Sequence, residues 1–103
     1  MSAITISKEN FHEEVIRAEK PVLVDFWAPW CGPCRTVLPL VEEIAGERSD
    51  IKVAKINVEE QPELASQFHV MSIPTLMVFE GGKVVNRSMG AKPKHEILKL
   101  LNS

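Results

Sequence analysis

Residues 22–37 read VLVDFWAPWCGPCRTV, from Val22 to Val37, and the change of pattern inside them sets the fold. Val22–Trp27 is a nearly continuous apolar, β-branched run, as expected of a central strand covered on both faces. Beyond Cys31 the apolar residues recur at helical spacing. Val37, Leu38, Leu40, Val41, Ile44 and Ala45 form the buried side of a helix expected from Cys31 to about Arg48. Pro39 inside it removes a hydrogen bond and is expected to kink it. The same stretch holds both cysteines of the chain, with only Gly32 and Pro33 between them.

Working outward, AITI (Ala3–Ile6) reads as a short strand and KENFHEEVIRA (Lys8–Ala18) as a helix, with Ser7 or Asn10 as its cap. IKVAKINV (Ile51–Val58) is strand-like, and PELASQF (Pro62–Phe68) is a short helix with proline in its first turn. TLMVFE and KVVNRSM flank Gly81-Gly82, a hairpin signal. KHEILKLLN closes the chain as a helix with Ile97, Leu98 and Leu101 on one face. The order β-α-β-α-β-α-β-β-α predicts an α/β fold: a central mixed sheet of about five strands, flanked by about four helices and ending in an antiparallel hairpin and a helix. Such crossovers gather the ends of the strands that precede helices at one pole, where ligands bind.

The 103 residues suggest a single domain over 1–103. Apolar residues make up 45% and charged residues 25%, ordinary soluble composition. The net charge of −2 gives no reason to expect nucleic acid, and no basic block suggests a membrane surface. The N-terminus lacks the cationic and apolar segments of a signal peptide, and no apolar run approaches the ~20 residues that span a bilayer. A cytoplasmic protein is expected, where a disulfide is more often transient and catalytic than structural.

With a helix starting near Cys31, the two sulfurs lie one turn apart on one face, a separation a disulfide tolerates. So short a loop constrains the unfolded chain little, which suits a bond that opens and closes. At the helix N-terminus Cys31 would be favoured as thiolate and attack a target disulfide. Cys34, one turn inside, would stay protonated and then resolve the mixed disulfide. The competing readings are a metal site and a pair of inert thiols. One CxxC supplies two of the four ligands zinc needs, and His12, His69 and His95 are scattered, so no metal site is expected. Soft-metal binding by the two cysteines alone, as for copper(I), stays open. In VLVDFW the alternation places Leu23, Asp25 and Trp27 on one face, where burial would raise the carboxyl's pKa. Lys55 shares a face with Ile51 and Val53. It could pair with Asp25 or snorkel outward at the strand end.

WCGPC after an apolar strand, SIPT before TLMVF, the Gly-Gly hairpin, and VDFWAPW, KINV and MGA in order closely resemble the thioredoxin family over essentially the whole chain. The resemblance implies a protein-disulfide reductase with no bound cofactor. Its electrons would come from NADPH or ferredoxin through a thioredoxin reductase, and its partners would be disulfide-containing proteins; a monomer is expected. It also implies residue roles: Cys31 attacking and Cys34 resolving, Asp25 as proton acceptor, Lys55 near that acid, and Pro74 as a cis-proline facing the disulfide. Trp27, Trp30, Gly32, Pro33, Met71, Ile73, Gly90 and Ala91 would form the substrate surface. If TLMVF runs antiparallel beside VLVDFW, its start lies beside Cys31, and the end of KVVNRSM returns Met89, Gly90 and Ala91 to that pole. Trp27 is expected to pack under the site and Trp30 to stay partly exposed. Arg35 stands where many relatives have lysine, and the acidic EEQP turn (Glu59–Pro62) and Met71-Ser72 bear on partner preference.

Overall fold

The computed structural model describes residues 2–102. Its strands are β1 (Ile4–Thr5), β2 (Val22–Trp27), β3 (Lys52–Asn57), β4 (Thr75–Glu80) and β5 (Lys83–Met89). Its α-helices are α1 (Lys8–Phe11), α2 (Cys34–Glu47), α3 (Pro62–Gln67) and α4 (Lys94–Leu100). The sheet order is β1-β3-β2-β4-β5. β1, β3 and β2 run parallel, β4 is antiparallel to β2, and β5 returns antiparallel to β4. This is the expected mixed α/β architecture.

β2 is central, and its alternation feeds two cores. Leu23 packs with Val37, Val41 and Ile44 of α2 and Ile97 of α4. Val22, Val24 and Phe26 pack on the other face with Phe11, Leu64 and Phe79. Each such side chain, fully buried, contributes roughly 1.5–3 kcal/mol of transfer free energy. Asp25 falls on the face of Leu23, toward α2, and is wholly buried.

Two helix boundaries differ from expectation. The helix expected from Cys31 begins at Cys34, because Gly32 and Pro33 form a turn ahead of it. It then runs through Pro39 to Glu47. The helix expected over Lys8–Ala18 is α-helical only to Phe11 and continues as a π turn over His12–Ile16, where the Arg17 N–H donates to the His12 carbonyl at 2.9 Å. The wider turn brings Ile16 round to the cluster that already holds Phe11 and Val15. The β4–β5 turn then packs on it. A Cβ at Gly82, whose φ is +81°, would lie 3.1 Å from the Ile16 carbonyl oxygen, so the turn needs glycine there for both space and conformation.

The helix α3 ends with His69 at φ 56°, a left-handed conformation that favours glycine. The Val70 N–H donates to the Ala65 carbonyl at 2.9 Å and the His69 N–H to the Ser66 carbonyl at 3.1 Å, which completes a Schellman cap. His69→Gly is therefore expected to raise stability by about 0.5–1 kcal/mol, because the side chain is exposed and the strain is removed. A higher urea midpoint at unchanged slope would show it.

Candidate active site

The site lies where β2 ends, α2 begins and β4 starts. Phe26 pairs with Thr75, so the residues just before β4 stand beside those just after β2. There Cys31 and Cys34 form a disulfide with their Cα atoms 5.3 Å apart. The Cys34 N–H donates to Cys31 Sγ at 3.2 Å, so the outer sulfur sits on a free amide of the first helical turn. Cys31 is 5% exposed and Cys34 0%, which gives the two sulfurs unequal access to an incoming chain. The loop ahead of them is pinned from α2, since Arg35 Nη2 donates to the Pro29 carbonyl at 3.2 Å. In the sequence Arg35 registers only as a retained charge, because its partner is a backbone atom that no motif marks.

Ile73–Pro74 is a cis peptide bond, as the resemblance implied. Pro74 is buried, and its carbonyl accepts the Gly90 N–H at 2.8 Å, with Gly90 at φ +88°. Ala91 follows on the surface, as Gly32 and Pro33 do on the other side of the site. Trp27 is half-buried against Ala28, Cys31 and Cys34, while Trp30 is 67% exposed, as expected of each. Trp30, Val58, Val70, Met71, Ser72 and Ile73 line a shallow groove of ≈ 140 Å³ beside the disulfide. Met71 is 89% exposed at its rim.

In β2, both oxygens of the buried Asp25 lack a hydrogen-bond partner among the described residues. Burial pushes its carboxyl up to about 7, against the pull of the Lys55 ammonium. Lys55 lies opposite Asp25 in the β2–β3 register. Lys55 Nζ pairs not with Asp25 but with Glu42 Oε2 of α2 at 3.1 Å, and its side chain stays partly exposed. Glu42, the partner of Lys55, is a residue that sequence reasoning passed over. Its one signal is an acid next to Val41, at the edge of the helix's apolar face. Among the described residues no three histidine, cysteine or acidic side chains gather as a metal-binding group.

The thioredoxin family model matches residues 2–103. The chain belongs to the thioredoxin family. It is 52% identical over 94 residues to thioredoxin 1 of Nostoc sp., covering 90% of this chain and 88% of that one. It is 50% identical over 103 residues to the thioredoxin of Pyropia yezoensis, covering 99% and 96%. It is also 49% identical over 100 residues to a bifunctional thioredoxin reductase/thioredoxin of Mycobacterium leprae, covering 96% of this chain and 22% of that protein. With the thioredoxin fold and the Cys31–Cys34 pair at bonding distance, the chain is a dithiol–disulfide oxidoreductase whose redox centre is the pair itself. Among the described residues no helix is long and apolar enough to cross a membrane.

Proposed function

We propose that this single thioredoxin domain is a protein-disulfide reductase in which Cys31 attacks and Cys34 resolves. The observation that carries the reading is the unequal burial of two sulfurs three residues apart, just past the strand that carries a buried acid without a hydrogen-bond partner among the described residues. In the dithiol form the Cys31 thiolate, favoured by the first-turn amides, attacks a target S–S bond. A Cys31–target disulfide forms and one target thiolate leaves. Asp25 takes the Cys34 proton, which a carboxyl titrating at about 7 can do near neutral pH. The Cys34 thiolate then attacks Cys31 Sγ, closing the Cys31–Cys34 bond and releasing the second target thiolate. Two electrons have passed to the target. Lys55, opposite Asp25, moderates that acid's titration.

Trp27, Trp30, Gly32, Pro33, Met71, Ile73, Pro74, Gly90 and Ala91 form the docking surface. An extended target segment pairs with the backbone at Ile73, strand to strand, and the exposed thioether of Met71 adapts to different side chains. A thioredoxin reductase restores the dithiol with electrons from NADPH or ferredoxin. The fused relative, named for both activities, supports such a partner. The protein works as a monomer in the cytoplasm.

The test is to trap the intermediate. Reduced Cys34→Ser, mixed with a disulfide-bonded protein, is expected to accumulate a covalent adduct through Cys31, at near-stoichiometric yield on non-reducing gels and by mass. An adduct through Cys34 in the Cys31→Ser protein, with none in Cys34→Ser, would reverse the two roles.

A further inference from the structure

Lys55 faces a choice between two carboxylates. Asp25 is its neighbour in the sheet register, yet the ammonium sits on Glu42, 3.1 Å from Oε2. The other Glu42 oxygen, Oε1, accepts the Ala3 N–H at 2.8 Å, so this carboxylate is fixed from two sides and tied to the start of β1. The Ala3 N–H, first among several causes, holds the Glu42 carboxyl below its usual range, so it stays charged wherever Asp25 titrates. Side-chain exposures of 26% for Lys55 and 35% for Glu42 leave that pair partly hydrated. Asp25 is 0% exposed, and an ammonium moved onto it would have to surrender its water.

We infer that Glu42 is a positioning residue: by keeping the Lys55 ammonium on its own carboxylate, it leaves the Asp25 carboxyl without a counter-charge in contact. Among the described residues, Lys55 is the one charged group that pulls on the Asp25 carboxyl. β4 places Leu76 beside Asp25 in register, and Leu23 on the same face of β2 packs with Ile97 of α4 and Val37 and Val41 of α2. The two thiols do not titrate while bonded. The consequence for turnover rests on the reading of Asp25 as proton acceptor; the positioning itself does not.

The experiment follows the Asp25 carboxyl by carbon NMR across pH, on the disulfide form so that neither thiol contributes. The proteins are wild type, Glu42→Gln, Lys55→Met and the double variant. Glutamine keeps an acceptor for the Ala3 N–H, so β1 stays anchored. Glu42→Gln is expected to lower the Asp25 midpoint by about 0.5–1 on the pH scale as Lys55 is freed toward it. Lys55→Met alone is expected to raise the midpoint. In the Lys55→Met background the glutamine substitution should move the midpoint less than half as far. An equal displacement in both backgrounds would mean that Glu42 acts directly by its charge, and no downward movement in Glu42→Gln would mean that it holds nothing away; either overturns the inference. If the midpoints move as expected while the pH profile of mixed-disulfide resolution does not, the positioning stands and the role of Asp25 in turnover falls.

Discussion

Cys31→Ser is expected to bring reduction of a protein disulfide down to the uncatalysed background, a loss of at least about three orders of magnitude. Serine keeps the size and the hydrogen-bond capacity at the turn but supplies no thiolate, so no mixed disulfide can form at that position. Cys34 cannot substitute, because it is 0% exposed while its neighbour reaches the surface. Fold loss would not explain such a result, since the disulfide closes so short a loop that its contribution to stability is small. The measurement is insulin reduction with dithiothreitol as electron source, with urea unfolding as the control. Activity retained within tenfold of wild type would sink the assignment of Cys31 as nucleophile.

The second large effect is on stability. Burial holds the Asp25 carboxyl at about 7 in the folded chain, against an ordinary value of 3.8. Between those two values the unfolded chain gives up the proton and the folded one keeps it, so stability falls as pH rises. Below about pH 4 the acid is neutral in both states and costs nothing. By pH 8 the accumulated loss approaches about 4 kcal/mol, at about 1.4 kcal/mol for each tenfold difference in proton affinity between the two states. Asp25→Asn removes the titration and leaves the shape. Its stability is expected to be nearly flat across pH 4–8 relative to wild type, so that the variant gains up to about 4 kcal/mol on wild type over that window. Urea unfolding of the disulfide forms at several pH values decides it. Parallel curves would show that Asp25 is already ionised in the folded chain.

What is legible in the sequence follows from where local chemistry is punctuated. β2, β4 and β5 have the expected limits because Pro21, Pro74 and the Gly81-Gly82 pair interrupt the apolar runs at their edges. α2 starts three residues later than expected because a CxxC spacing looks the same whether its first cysteine is inside the helix or in the turn before it. The π turn at His12–Ile16 answers to packing against the β4–β5 hairpin, which a local pattern does not contain. At the site, both cysteines and the burial of Asp25 can be read from spacing and alternation. The cis bond before Pro74 cannot; only family resemblance points to it. The partner of Lys55 is hidden for a different reason. A long flexible side chain can reach either of two acids, and which one it contacts depends on the folded neighbourhood rather than on the local pattern.

The sheet order has one seam. β1, β3 and β2 form a parallel half, β4 and β5 a hairpin, and the β2–β4 pairing is where they join. Both sulfurs and Asp25 belong to the parallel half and the stretch that follows β2, whereas Ile73, Pro74, Gly90 and Ala91 arrive with the hairpin. On the proposed reading, the reacting groups come from one stretch of chain and the docking surface draws on both, so the two stretches meet along a single edge. If Ile73, Gly90 and Ala91 dock targets as proposed, substitutions in the hairpin and its approaches would alter which targets are taken and leave the reacting groups in place.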